Sequence, residues 1–118
     1  MSAQIDGTPW IATCLLAASW TAGTLSIVAT NGTDTITLGA IASIPGSIDL
    51  TTATAFASLT RAGGTWTTAN SGGTGTLTLS RLDLQGATGT FSFSAPAVPG
   101  TAAIGTKFVS GGVFDVTF

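Results

Sequence analysis

Thr8-Pro9-Trp10-Ile11-Ala12-Thr13-Cys14-Leu15-Leu16-Ala17-Ala18-Ser19-Trp20 carries no charge and few polar side chains, and what it forms decides what the whole chain is. A secretory signal opens on basic residues, whereas the segment ahead of Trp10 holds Asp6 and no Lys or Arg. A lipoprotein site sets a small residue before its cysteine, and Thr13 stands there instead. A spanning helix takes about 20 apolar residues. This run is cut short by Pro9 and by the turn-like Thr21-Ala22-Gly23-Thr24. Alternation fits better. With period two, Trp10, Ala12, Cys14, Leu16, Ala18 and Trp20 take one face and Ile11, Thr13, Leu15, Ala17 and Ser19 the other. Both faces are largely apolar, which predicts a strand buried on both sides or one that passes between two sheets of a sandwich.

The composition agrees with a β fold and restricts the partners. The chain has 118 residues, enough for one core and one domain over 1–118. Hydrophobic residues make up 44%, but only 7% are charged, against about 25% in ordinary soluble domains. His, Tyr and Glu are absent, so the polar surface must be built from Thr, Ser, Gly and backbone. A net charge of −2 leaves no basic patch, which excludes nucleic acid and anionic lipid held by counterion release. Cys14 has no second cysteine to pair with and no histidine to share a metal with, so it reads as a small buried apolar residue.

The remaining sequence is written in strands. Leu25-Ser26-Ile27-Val28 and Thr35-Ile36-Thr37-Leu38 alternate on either side of Asn31-Gly32, a hairpin signal because both residues tolerate positive φ. Ser47-Ile48-Asp49-Leu50, Phe56-Ala57-Ser58-Leu59 and Thr65-Trp66-Thr67 follow, separated by Ile44-Pro45-Gly46 and Gly63-Gly64. Past the turn Asn70-Ser71-Gly72-Gly73, Thr76–Ser80 and Thr90–Ser94 read as antiparallel neighbours across Gln85-Gly86. Ala95-Pro96-Ala97-Val98-Pro99-Gly100 reads as a loop, since proline cannot donate to a ladder. Lys107-Phe108-Val109 and Val113–Phe118 close the chain, the latter with Phe114, Val116 and Phe118 on one face. Sixteen glycines punctuate these runs and no amphipathic helix interrupts them. The prediction is an all-β, single-domain antiparallel sandwich or flattened barrel of about eight to ten short strands.

Three patches carry a resemblance. Asp6-Gly7-Thr8-Pro9-Trp10-Ile11-Ala12, Gly89-Thr90-Phe91-Ser92-Phe93-Ser94-Ala95 and Ser110-Gly111-Gly112-Val113-Phe114-Asp115-Val116-Thr117-Phe118 together resemble a family of small bacterial all-β domains without assigned function. The resemblance implies a sandwich and, because such domains are often secreted or lipid-anchored, an extracellular or cell-surface setting. It implies no catalytic residue.

The residues themselves offer little chemistry. Asp6, Asp34, Asp49, Asp83 and Asp115 are scattered, with no acid two or four residues from another to suggest a glycosidase pair or a calcium loop. Serine and threonine hydroxyls abound, yet the chain has no histidine to activate them and Lys107 is its single lysine. Gly72-Gly73-Thr74-Gly75-Thr76 opens a strand rather than a helix and lacks the lysine of a phosphate loop. Arg81 and Asp83 lie two apart and share a strand face, where an exposed pair contributes about 1 kcal/mol at most. The sequence therefore predicts a protein that is not an enzyme and needs no cofactor or metal. Trp10, Trp20 and Trp66 are the candidate stacking platform for sugar rings, the core being their commoner place. Thr35 and Thr37, Thr65 and Thr67, and Thr76 and Thr78 form Thr-x-Thr pairs of the kind that suit strands. Asn31-Gly32-Thr33 also matches a glycosylation acceptor.

The scarcity of charge is the remaining clue. Sheet edges are usually guarded by Lys, Glu, Pro or inward charges against pairing with other chains, and this sequence has few such guards. Either the edges are covered internally or their pairing is useful, as in filaments where subunits exchange or add strands. Ser2, Ala3, Gln4 and Ile5 form a short segment ahead of Gly7, a hinge candidate, and with Phe114, Val116 and Phe118 they are the expected inter-subunit strands. The expectation is a structural subunit of an extracellular homopolymer such as a pilus-like fibre or surface layer, whose partners are copies of itself. The alternatives are a secreted carbohydrate-binding or adhesion module and a virion or phage-tail component.

Overall fold

A computed structural model describes residues 1–118 and contains strands only. In chain order they are β1 (Ser2–Ile5), β2 (Thr8–Ile11), β3 (Leu15–Thr21), β4 (Thr24–Thr30), β5 (Asp34–Ile41), β6 (Gly46–Asp49), β7 (Ala55–Arg61), β8 (Gly64–Thr67), β9 (Thr74–Leu82), β10 (Gly86–Pro96) and β11 (Thr106–Thr117). One sheet has six strands in the order β2-β1-β11-β10-β9-β6 and the other five in the order β3-β4-β5-β7-β8. All pairings are antiparallel. Between the sheets lies one core, in which Leu25, Ile27, Ile36, Leu38 and Leu59 of the five-stranded sheet meet Leu77, Leu79, Phe91, Phe93, Phe114 and Val116 of the six-stranded one. The antiparallel sandwich expected from the alternating runs is what forms. It has eleven strands, slightly more than expected, because the opening stretch contributes two and a short β1 precedes it.

The opening stretch passes between the sheets. Pro9, Trp10 and Ile11 lie in β2, Ala12–Cys14 cross to the other layer, and Leu15 starts β3. Burial on both faces does not hold. Leu15 and Leu16 are 52% and 40% exposed and Cys14 is exposed, because β3 lies at a sheet margin. Cys14 is thus no buried core residue: its N–H donates to the Thr30 carbonyl, whose strand partner is Leu15, and this bulge turns the thiol outward.

Tight turns account for much of the topology. Asp6-Gly7, Ala22-Gly23 and Ala62-Gly63 are two-residue turns with φ of +49/+82, +52/+80 and +48/+80, the mirror-image geometry that matches strand twist. Gly7 is therefore the corner of the β1–β2 hairpin rather than a hinge. The hairpin at Asn31-Gly32 forms as expected but bends one residue later. Gly32 holds the positive φ, and the Asn31 Oδ1 accepts from Thr33 and Asp34 N–H at 2.9 and 2.8 Å.

Two readings near the C-terminus change. Ala95 and Pro96 belong to β10, paired with Lys107 and Thr106, so the loop begins at Ala97. Lys107–Val109 and Val113–Thr117 are not separate strands but one long β11, kinked at Ser110-Gly111-Gly112 where the register with β10 shifts and Gly111 takes φ +58.

Candidate functional site

All three cations are held by carboxylates of the same chain. Arg61 makes a bidentate pair with Asp34 across β5 and β7, with Nη2 to Oδ2 at 2.8 Å. Arg81 Nε donates to Asp83 at 2.9 Å, and Lys107 Nζ to Asp6 at 3.1 Å. Lys107 also lies 5.3 Å from the centre of the Trp66 ring. The Asp83 carboxyl is lowered to about 2 by its hydrogen bond from Arg81 and by the backbone N–H groups of Gln85 and Gly86. Asp6 is lowered chiefly by the Phe108 N–H and Asp49 by the Thr51 hydroxyl. These groups stitch turns and strands. No three of the acidic and thiol groups converge.

The tryptophans occupy core positions. Trp10 and Trp66 are only 3% and 5% exposed, and Trp66 Nε1 donates to the Ile104 carbonyl at 3.2 Å. Trp20 is half-buried, with its ring 6.3 Å from Phe118 and its Nε1 on the Ala42 carbonyl at 2.9 Å. They lie on different elements and do not form a joint platform, because each indole is used to seal a gap between the layers. The expected inter-subunit strands are likewise engaged within the chain: β1, with Ser2 to Ile5, is sandwiched between β2 and β11, and Phe114 and Val116 of β11 point into the core, with Phe118 packed half-buried against it.

The outer faces are hydroxylated. On the five-stranded sheet, Thr30, Thr35, Thr60 and Thr65 are register partners in one row and Val28, Thr37, Ser58 and Thr67 in the next. Gly39 lies opposite Phe56, whose ring covers the place a Cβ would occupy. The largest surface depression, about 540 Å³, runs beside this ring and is lined by threonines, alanines and Ile41. It contains no titratable group.

Four strands form the margins of the two sheets, and three are four residues long and guarded. β2 has four residues and its outward-facing Pro9 has no N–H to offer. β6 also has four, carries Asp49, and the Asp49 carbonyl is taken by the Thr52 hydroxyl. β8 is covered by the loop after β10: Ala97 bridges Trp66, and Val98 N–H donates to the Thr65 carbonyl at 2.8 Å.

β3 is different. It is seven residues long, Leu15-Leu16-Ala17-Ala18-Ser19-Trp20-Thr21, without charge, proline or covering loop. Because the Ala22-Gly23 turn makes Thr21 and Thr24 a hydrogen-bonded pair, alternation along the ladder aims the N–H and C=O of Leu16, Ala18 and Trp20 away from β4. The candidate site is this row of backbone groups, flanked by exposed Ile11, Leu15 and Leu16.

Residues 1–117 match the family described as Domain of unknown function (DUF6252). The chain belongs to this family. The resemblance to a small domain family of unknown function therefore holds at that level. No curated protein and no solved structure matches this DUF6252 domain. No helix in it is long and apolar enough to cross a membrane. Sequence reasoning missed β3 as the free margin of the DUF6252 domain. The signal was Ala17-Ala18-Ser19 beside Ala22-Gly23: small residues without a guard next to a tight turn.

Proposed function

We propose that the domain is a non-catalytic structural subunit that associates with copies of itself in an extracellular fibre or surface layer. The observation that carries the reading is the unguarded β3 margin in a molecule whose other margins are shortened, proline-blocked or covered. Sheet margins left in this condition pair with other strands, and natural proteins avoid leaving them so unless the pairing is used. The surroundings support the reading. The outer face of the five-stranded sheet bears hydroxyl groups beside exposed Leu15, Ile41 and Phe56, with no charge to repel a neighbouring copy, and the cations are each tied to a carboxylate. A capsid or tail component of a virus would satisfy the same observations, being an assembly of copies as well. Electron microscopy of native material is expected to show regular fibres or sheets. A sedimentation profile that stays monomeric up to millimolar concentration would overturn the reading.

A further inference from the structure

We propose that β3 pairs antiparallel with β3 of a second copy across a two-fold axis at Ala18, fusing the two five-stranded sheets into one continuous sheet. This rests on the assembly reading above and defines a closed two-fold pair as its building block, so that extension into a fibre or layer uses contacts other than the sheet margins. Two observations choose a copy of the chain as occupant. β3 carries no charge that would select an oppositely charged partner, and the other margins are four-residue strands, interrupted by Pro9 in β2, bearing Asp49 in β6 and covered by a loop at β8, so none offers a head-to-tail acceptor of the length of β3. What remains open to β3 is β3 itself.

The register follows from the backbone. Groups of Leu16, Ala18 and Trp20 face the free side, and the register that pairs all three sets Ala18 against the partner's Ala18 and Leu16 against the partner's Trp20, giving about six interchain hydrogen bonds. On the inner face this continues the core row: Leu16, now 40% exposed, is covered by the partner's Trp20. On the outer face Ala17 meets the partner's Ser19, and Leu15 meets the partner's Thr21, small against small and branched against branched. Shifting the register by one residue would turn the inner row outward.

The test uses the full chain. Sedimentation over a concentration series is compared for the native protein and Ala18→Pro. The Ala18 N–H faces away from β4, so proline removes a donor to the partner and none inside the sheet. The dissociation constant is expected to rise at least tenfold while the thermal midpoint stays near the native one. In a Cys14→Ser background, Ala17→Cys and Ser19→Cys chains are also made separately and mixed under mild oxidation. Ala17 and the partner's Ser19 form a non-hydrogen-bonded pair with Cα atoms about 4.5 Å apart, within disulfide reach. The mixture is expected to cross-link at least tenfold faster than either chain alone, a result that decides the matter even if Ala18→Pro does not fold. Association of the native protein with no excess cross-linking in the mixture would overturn the β3 pairing and leave the assembly reading standing. A native protein that is monomeric throughout would overturn both.

Discussion

At the scale of single residues, the few charges act as fasteners and the indoles as seals. Asp34 is buried and its carboxylate depends on Arg61, so Arg61→Ala strands a desolvated charge. Because the arginine is itself partly exposed, chemical denaturation is expected to show a loss of about 2 kcal/mol, below the figure for a fully buried pair. The tryptophans differ in what they would lose. Trp10 Nε1 finds no acceptor in the protein, whereas Trp66 Nε1 has the Ile104 carbonyl and its ring has Lys107 above it. Trp10→Phe is therefore expected to cost less than Trp66→Phe, by about 1 kcal/mol in the same measurement. Neither these roles nor the exposure of Cys14 could be read from sequence. Period-two alternation says which residues share a face but not whether another strand lies beyond them, and the margin position of β3 is decided by pairings remote in the chain.

At the scale of elements, much was legible because the signals are local. The β4–β5 hairpin and the β9–β10 pair follow from alternating runs around turn residues, and both form. The turn at Ala22-Gly23 was legible and that at Ala62-Gly63 was read one residue late, at Gly63-Gly64, yet alanine is an uncommon first residue for positive φ and is strained there. That cost remains in the fold. Ala22→Asn and Ala62→Asn, which place a residue tolerant of φ near +50° at each corner, are each expected to stabilise by about 0.5 kcal/mol and raise the melting temperature by a few degrees. The length of β11 was hidden. Ser110-Gly111-Gly112 reads as a break, but flanked by β1 on one side and β10 on the other it is held as a bulge inside a single strand.

At the scale of the whole molecule, the fold class was legible and the identity of the free margin was not, since sheet order depends on how distant strands close the layers. The titration behaviour is a property of the whole inventory. Asp6, Asp49 and Asp83 have carboxyls lowered by hydrogen bonds that exist only in the fold. Their contribution is present above the unfolded value of about 4 and is lost as pH falls through the folded values, about 2 for Asp83. With no histidine to titrate, melting temperature is expected to be flat between about pH 5 and 8 and to decline below about 4. Differential scanning calorimetry across this range checks both parts. The placement of β11 has a consequence for biogenesis. It follows in the chain every strand it joins, yet it lies between β1 and β10, with Val113 opposite Ser2. Until Thr106–Thr117 emerges, the N-terminal hairpin has no docking site in its sheet, and the long sequence separation of this pairing makes closure slow. The six-stranded sheet is thus completed only by its last strand, whereas every strand of the five-stranded sheet precedes β11 and can pair without it.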